Sequence, residues 1–476
     1  MEITMLAENL KPNVTERFPW RLASILYSAS FGLMFFFLRA YFWDDWAVKT
    51  VPAQLERDYW KDLGFPPPIS FILIDVFRRN PVYLHLAIFV IFFACGWLLF
   101  QILQKVNFLT PSDRQLIAIL FLVLPINSAR VAMQMFSYSY SLFFFYAAWY
   151  LLVAKRGYVS KVISVSFFLL SFNTLSLITF TAIPAAHYLL LRRSDVRNSK
   201  FRSSIGSILL LVMAVAYWFF IKNVYPPSGP HLSYYSPTVS GTIRGIILIL
   251  AATAFLGWTL LRMNKTGEFR LAKIALGIVL VSLGAFPYMT SGRLVDISEW
   301  MLNFVPRASE WDSRNQLLLG LGLSLLITGI IGDTDSEFKK KALAVFVGAC
   351  VFLNFTFMQS YMLDAMKQQQ VINVLSKSEV VKAGQIIMVN DLAVRYNARG
   401  RSVRTYEWDG ILKKAFGDSL RKSFDYGYID CSDPDIVPPD VLLTINSKNG
   451  RFKSLLTRNI GIYVVAQLIN PCPTTR

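Results

Sequence analysis

Apolar residues occur in this chain as blocks of membrane-spanning length, and short polar loops separate the blocks. Because a helix needs about 20 apolar residues to cross the hydrocarbon core of a bilayer, each block predicts a membrane helix. About eleven such helices are expected from this pattern. Their approximate ranges are 22–42, 84–104, 115–128, 138–154, 162–173, 175–191, 204–222, 243–262, 272–290, 316–332 and 342–362.

Two of these blocks, 162–173 and 175–191, are individually short for a membrane crossing. Basic clusters flank the pair on both sides. This arrangement predicts a hairpin of tilted helices that turns near Phe172-Asn173-Thr174. A single long helix over the same residues is the alternative, and it would invert the orientation of every later segment.

The charge of the loops predicts how the helices are oriented. Basic loops of membrane proteins stay in the cytoplasm. Lys and Arg residues collect in the loops at 105–114, 155–161, 192–202, 262–273 and 339–341. Residues 1–21 are then cytoplasmic, and the first apolar run serves as a signal anchor. External loops are expected at 43–83, 223–242 and 291–315.

The membrane pattern ends at residue 362, and residues 363–476 are expected to form an external domain. Strands are predicted at 385–390, 441–446 and 460–469, and a short helix at 408–416. The predicted fold is therefore mainly α, a polytopic bundle over 22–362 with a small C-terminal α/β domain. Cys431 and Cys472 both lie in this domain and are candidates for a disulfide in an oxidising periplasm. Their spacing along the chain leaves open whether the two α-carbons approach each other.

Composition agrees with a membrane protein. The chain has 476 residues, of which 54% are hydrophobic and only 16% are charged. Soluble domains carry about 25% charged residues. The formal net charge of +18 falls mainly in the short loops and the C-terminal segment. It therefore indicates membrane topology and not a nucleic-acid-binding surface.

Two adjacent carboxylates, Asp44 and Asp45, follow the first apolar run inside the motif Trp43-Asp44-Asp45-Trp46. Ionisable groups at a membrane boundary are costly to desolvate, so they indicate a functional site. The alternative interpretation is an aromatic belt with two solvated aspartates. Arg39 lies five residues before Asp44. It is expected either to pair with that acid or to extend its side chain to the lipid headgroups.

The first external loop also holds Arg57, a candidate supporting residue, and an apolar patch at Ile69–Phe77. This patch is too short to span a membrane and predicts an amphipathic helix lying along the interface. A structural collar on the helix bundle is the alternative function of this segment.

A second concentration of charge occupies the last membrane loop. Arg293, Arg307 and Arg314 lie there, with Glu310 as a supporting residue. Guanidinium groups match the oxygen atoms of a phosphate in a forked geometry. The loop is therefore a candidate clamp for a lipid-linked phosphate. Anchoring to anionic headgroups is the alternative.

Motifs of several other classes are missing from the sequence. It contains no Walker P-loop, no zinc-type spacing of His and Cys, and no Gly-rich dinucleotide fingerprint. ATP-driven transport and redox catalysis have no support from it.

The acidic pair after the first span, the long first external loop and the trailing external domain together resemble the GT-C superfamily. These are integral membrane glycosyltransferases that use polyprenyl-phosphate sugars. The resemblance covers the topology of the whole chain, but its specific motifs are only residues 43–46 and the arginine loop. The chain departs from the commoner Asp-x-Asp pattern, so it is open which acid is catalytic. It also lacks the Trp-Trp-Asp signature of oligosaccharyltransferases.

The resemblance implies a mechanism. Asp44 or Asp45 would act as general base on an acceptor hydroxyl, and Arg293, Arg307 or Arg314 would stabilise the departing phosphate. Transfer would invert the configuration of the sugar. A divalent cation, Mg²⁺ or Mn²⁺, would bind at Asp44 and Asp45 if one takes part; no other cofactor is expected. The donor is a polyprenyl-phosphate-linked sugar, and the acceptor is an envelope glycan or glycolipid.

Two other functions compete with this one. A polysaccharide polymerase or ligase would depend on arginine and histidine more than on an acidic pair. A transporter or flippase for lipid-linked saccharides would show charges in mid-membrane and internal repeats. The charges of this chain gather at the external face, which favours a transferase that modifies lipopolysaccharide, O-antigen or another surface polysaccharide. The expected location is a bacterial inner membrane.

Overall fold

A computed structural model describes residues 17–64, 71–77, 80–155, 157–193, 199–228, 237–266, 269–292, 310–332, 337–417, 422–425, 439–447 and 462–468. The chain is mainly helical, with a small sheet near its carboxyl end. The helices are α1 (Trp20–Phe31), α2 (Asp45–Thr50), α3 (Ala53–Asp62), α4 (Phe71–Phe77), α5 (Val82–Leu103), α6 (Pro111–Val123), α7 (Met135–Ala154), α8 (Tyr158–Ser171), α9 (Ser176–Phe180), α10 (Ala182–Arg193), α11 (Ser199–Val224), α12 (Val239–Thr266), α13 (Phe269–Thr290), α14 (Leu319–Ile331), α15 (Glu337–Leu375), α16 (Glu379–Ala383) and α17 (Thr405–Phe416). Short 3-10 helices lie at Gly32–Phe36, Ser128–Val131, Glu310–Gln316, Val394–Tyr396 and Ala398–Gly400. The strands are β1 (Ile386–Asp391), β2 (Lys422–Asp425), β3 (Val441–Ser447) and β4 (Ile462–Leu468).

Six of the described helices are long and apolar enough to cross a membrane: α5, α7, α11, α12, α13 and α15. Three further apolar helical segments, 158–171, 176–191 and 319–331, are shorter than the usual crossing length. The structure thus has the helices of a multi-pass membrane protein. The count of eleven spans stays a prediction.

The first apolar run differs from its prediction, because residues 22–42 are not one continuous helix. The α-helix ends at Phe31, and the chain tightens into the 3-10 helix Gly32–Phe36. A 3-10 helix rises about 2.0 Å per residue, so residues 20–36 still cover about 28 Å. The segment after it is irregular because Phe37, Tyr41 and Phe42 turn into the core, where each is at most 5% exposed.

The turn predicted near Phe172-Asn173-Thr174 is present, since α8 ends at Ser171 and α9 begins at Ser176. The hydroxyl of Ser164 on α8 donates to a carbonyl of α7 at 2.8 Å. Trp149, near the end of α7, donates to His187 on α10 at 3.0 Å. The chain therefore reverses direction between α8 and the α9–α10 segment, and both arms pack on α7.

Helices α13 and α14 pack backbone to backbone through glycines spaced seven residues apart. Gly277 and Gly284 lie on α13, and Gly322 and Gly329 lie on α14. A β-carbon added at Gly322 would lie 2.6 Å from the backbone nitrogen of Val281. Small residues allow close helix approach in membranes, where packing supplies much of the association energy.

The C-terminal sheet has the strand order β2-β1-β3-β4. Strand β1 is parallel to β2 and β3, and β4 is antiparallel to β3. The three predicted strands and the predicted helix are confirmed within a few residues. Strand β2, only four residues long, was missed. The predicted boundary between residues 362 and 363 falls inside α15, which continues without a break to Leu375.

A buried ionic network fixes this domain to the end of α15. The ammonium group of Lys367 donates to Asp391 at 2.6 Å and to Asn397 at 2.5 Å. Arg401 pairs with Asp364 on α15 at 3.2 Å and with Glu407 on α17 at 2.7 Å. Removal of one member of such a buried pair leaves an uncompensated charge, which is strongly destabilising. The domain is therefore packed as a continuation of the bundle.

Candidate functional site

Helices α2 and α17 bring the acidic motif against the C-terminal domain. The indole ring of Trp46 packs on Gly410, where an added β-carbon would lie 2.6 Å from the ring. Trp46 is 1% exposed. The ammonium group of Lys413 donates to the carbonyl of Thr50, at the C-terminal end of α2, at 2.5 Å. A cation at that position complements the helix dipole.

Asp45 points into the protein and is fully buried. Its carboxylate accepts backbone N–H groups from Phe42 at 3.2 Å, Met133 at 2.8 Å and Gln134 at 3.0 Å. Met133 and Gln134 immediately precede α7. Asp45 thus ties the segment that follows the first apolar run to the start of α7, which is a structural role.

The pKa of Asp45 is raised to about 7. Burial is the main cause, because it disfavours the ionised form. The three backbone donors act in the opposite direction, and the neighbouring Asp44 raises the pKa slightly further. The effect of burial outweighs that of the donors.

Asp44 points the other way and is half-buried. Its Oδ1 atom accepts a hydrogen bond from the hydroxyl of Tyr406 on α17 at 3.0 Å. It also lies close enough to the hydroxyl of Tyr138 on α7 for electrostatic interaction. The two acids of the motif therefore have different surroundings, and Asp44 is the one that lies beside other polar side chains.

The backbone at Trp43 sets the direction in which the chain enters the acidic pair. Trp43 has φ 47°, and it is the one non-glycine residue with positive φ in the described part of the chain. Such a conformation costs of the order of 1–3 kcal/mol and persists only where the surroundings enforce it. Here the Trp43 N–H donates to Glu407 at 3.2 Å, and the ring packs on Tyr361.

A cavity of about 820 Å³ is lined by Gln134, whose backbone N–H binds Asp45, and by Tyr138, while the acidic motif itself is not in the lining. Its wall is mostly apolar, and hydroxyl and amide groups are spaced along it. The lining comes from the helix ends predicted to be external: Trp60, Gln134, Ser137, Tyr138, Asn173, Thr174, Leu175, Ser176, Ile178, Thr179, Val215, Trp218, Lys222, Pro227, Pro237, Thr242, Phe286, Pro287, Tyr288, Thr290, Ser291 and Asn315.

Arg314 approaches the cavity from the 3-10 helix Glu310–Gln316. It is 7% exposed, and its guanidinium group lies within hydrogen-bonding reach of the Tyr138 hydroxyl. The next residue, Asn315, lines the cavity. The 3-10 helix is held by Ser313, whose hydroxyl accepts the backbone N–H of Ala129 at 2.8 Å. Tyr138, which lines the cavity, therefore interacts with a carboxylate, Asp44, and with a cation, Arg314.

Two of the helices that line the cavity, α11 and α12, pack on different neighbours. Helix α11 packs mainly on α10, and α12 packs mainly on α13. Among the residues that the structure describes, α11 and α12 are not packed along each other, although both contribute to the lining. Their outer faces carry many exposed apolar side chains, as expected for contact with lipid.

Of the other predicted site residues, Arg39 and Arg57 are described and are not part of this arrangement. Arg39 is exposed, and in the described part of the chain it forms no ion pair with Asp44. Arg57 pairs with Asp75 on α4, so it braces the interfacial helix and does not contact the acids. The side chain of Glu310 is outside the described part of the structure, as are Arg293, Arg307, Cys431 and Cys472.

The geometry does not fit a divalent cation shared by Asp44 and Asp45. Both Asp45 oxygens accept backbone N–H groups, and those donors would oppose a bound cation. The described residues contain no cluster of three or more His, Cys, Asp or Glu side chains with metal-binding geometry.

Sequence reasoning missed Tyr138, Tyr406 and Trp60. The sequence could have indicated Tyr138, because α7 begins with Ser and Tyr residues inside an otherwise apolar block. No local pattern could have indicated Tyr406, since it lies 362 residues after Asp44, to which it donates a hydrogen bond.

Comparison with protein-family models gives no match, and no curated protein shows significant similarity to this chain.

Proposed function

We propose that this protein is an integral membrane glycosyltransferase of GT-C type. It transfers a sugar from a polyprenyl-phosphate donor to an envelope glycan or glycolipid, such as O-antigen, at the external face of a bacterial inner membrane. The observation that carries the proposal is that Asp44 and Arg314 both interact with Tyr138, which lines a large cavity. A base and a phosphate-binding cation are the two groups that this transfer needs.

The cavity suits a lipid-linked sugar. Its apolar wall and the exposed apolar faces of α11 and α12 would leave a prenyl chain in contact with lipid. Trp60 and Trp218 provide aromatic surface, and the amide and hydroxyl groups of Asn173, Thr174 and Ser176 are hydrogen-bonding partners for sugar hydroxyls. Binding sites of this kind combine apolar walls with a few placed polar groups.

In this mechanism Asp44 is the general base. It takes the proton of an acceptor hydroxyl while that oxygen attacks the anomeric carbon, and such assistance contributes about 10²–10⁴ in rate. The bond between the anomeric carbon and the phosphate oxygen breaks, and polyprenyl phosphate leaves with the electron pair. Attack occurs opposite the leaving group, so the configuration inverts. Arg314 stabilises the charge that develops on the departing phosphate.

Asp45 has a different role in this proposal. Its carboxylate is occupied by the backbone of residues 42, 133 and 134. It therefore holds the loop that presents Asp44 and takes no part in proton transfer. No step of the mechanism is assigned to a metal ion.

The test is glycan analysis of the host envelope from the wild type, a deletion strain and an Asp44→Asn strain, with correct membrane insertion verified for each variant. We expect one sugar substituent to be lost in the deletion and reduced at least 100-fold by Asp44→Asn, because the amide cannot act as a base. Asp58→Asn, an exposed acid of the same external loop, is the matched control.

An unchanged glycan profile in a stably inserted Asp44→Asn strain would refute the proposal. Polymerisation or transport of lipid-linked saccharides would then be the better explanation. Shortened glycan chains in the deletion strain would indicate a polymerase or ligase.

A further inference from the structure

We propose that the C-terminal domain completes the transferase site, with Tyr406 as a positioning residue for Asp44. The inference rests on the proposed function, since it assumes that Asp44 is the base. It adds a second part of the chain to the site, because the residues of α17 are more than 350 positions away from the acidic motif.

Two consecutive residues of α17 hold two consecutive residues of the first external loop. The hydroxyl of Tyr406 donates to Asp44 Oδ1 at 3.0 Å. The carboxylate of Glu407 accepts the backbone N–H of Trp43 at 3.2 Å. One contact fixes the side chain of the acid, and the other fixes the backbone immediately before it.

The hydrogen bond from Tyr406 determines how Asp44 is presented. Among the described residues, Tyr406 is the one side chain with a hydrogen bond to Asp44. A bond to Oδ1 restricts rotation of the carboxylate and leaves Oδ2 in a defined direction for an incoming hydroxyl. Burial and the nearby Asp44 carboxylate both raise the pKa of Tyr406, so its hydroxyl keeps the proton that it donates.

The contact from Glu407 holds a backbone conformation that is unfavourable for Trp43. Positive φ is adopted freely by glycine and rarely by bulky residues. Glu407 is itself buried and paired with Arg401 at 2.7 Å, and that guanidinium group lies 5.5 Å from the centre of the Trp43 ring. Arg401 is in turn paired with Asp364 on α15.

This chain of contacts connects α15, the C-terminal domain and the acidic motif in one rigid unit. Preorganisation of a catalytic group requires neighbours whose own positions are fixed, and both α17 residues meet that condition. The domain therefore sets the direction of the base in addition to covering that end of the bundle.

The test is Tyr406→Phe, which removes one oxygen atom and keeps the ring. The donor is the polyprenyl-phosphate hexose whose sugar is lost from the envelope of the Asp44→Asn strain, and transfer is assayed in isolated membranes. We expect kcat to fall about tenfold or more, since hydrogen bonds to charged groups are worth at least this factor, with KM for the donor unchanged.

The Tyr406→Phe variant is expected to bind polyprenyl phosphate as well as the wild type does. This binding is measured as the change in unfolding temperature of the purified protein when polyprenyl phosphate is added. Arg314→Gln provides the comparison in which that binding is lost. Tyr463→Phe, on the exposed strand β4, is the matched control and should leave both properties unchanged. Tyr406→Gln, which restores a donor, should recover part of the lost kcat.

Wild-type kcat in Tyr406→Phe, combined with an inactive Asp44→Asn, would overturn the inference and leave the proposed function intact. A fall in kcat accompanied by an equal loss of donor binding and of thermal stability would also overturn it, because the role would then be structural. Full transfer in Asp44→Asn would instead contradict the proposed function itself.

Discussion

Neighbouring carboxylates of one short motif serve different purposes in this protein. Asp45 is enclosed and satisfied by backbone donors, whereas Asp44 meets side chains from two other helices. The difference follows from helical geometry, because Asp44 has helical backbone angles and consecutive side chains of a helical turn point about 100° apart. At the scale of single residues, burial and hydrogen-bond partners separate the structural acid from the proposed base.

Asp45 predicts a pH dependence of stability. Its pKa is raised from 3.8 to about 7 in the folded protein, so folding favours its protonated form. The stability that it contributes is complete below about pH 4 and is lost as the pH rises through about 7. We expect the unfolding temperature of the wild type, measured in detergent relative to Asp45→Asn, to fall between pH 5 and pH 8. A difference that does not vary with pH would contradict this assignment.

At the scale of elements, the helix ends carry the site and the helix contacts hold it in place. The cavity is lined by the ends of α7, α11, α12 and α13 and by the turn before α9. Helix α13 supplies Phe286 to Ser291 to the lining, and its position depends on α14. A change in the packing of these two helices should therefore reach the cavity.

Gly322→Ala is expected to destabilise the protein. The added methyl group would lie 2.6 Å from a backbone nitrogen of α13, and overpacking of this kind costs about 1–3 kcal/mol. Gly348→Ala on α15 is the matched control, because no atom lies within 4 Å of the added carbon. The measurement is the unfolding temperature of each purified variant. Equal unfolding temperatures for the two variants would show that α13 and α14 are less closely packed than described.

At the scale of the whole molecule, the two termini of the described chain lie at opposite ends of the bundle. Phe18 and Trp20 contact Phe100 and Trp97, late in α5. The start of α5 lies at the other end, where His85 contacts the carbonyl of Leu38 at 2.7 Å, close to the acidic motif and α17. The C-terminal domain is therefore on the side away from the start of α1.

This arrangement, together with the basic loops, predicts that the carboxyl terminus is external. In a bacterial host, alkaline phosphatase fused to the C-terminus should be active, and green fluorescent protein fused there should not fluoresce. The same two reporters at the N-terminus should give the opposite results. Fluorescence from the C-terminal fusion would invert the orientation and place the cavity at the cytoplasmic face.

The sequence alone determined the membrane class, the six long helices, the turn near residue 173 and most of the C-terminal elements. These properties follow from local patterns, since apolar length and strand or helix periodicity are read over 5 to 25 neighbouring residues. It also indicated Asp44 and Arg314 as candidates, together with Asp45, Arg293 and Arg307, because charges next to apolar blocks stand out. It misjudged the end of the first helix, where aromatic residues leave helical geometry to enter the core.

Tertiary structure decided which acid is buried, that Arg314 meets Tyr138, and that Tyr406 and Glu407 reach the acidic motif. It also decided that Arg39 and Arg57 lie apart from the acids. Each of these facts depends on contacts between residues far apart in the chain. A local sequence pattern does not specify such contacts, because the same type of side chain can face either the core or a cavity once the helices are packed.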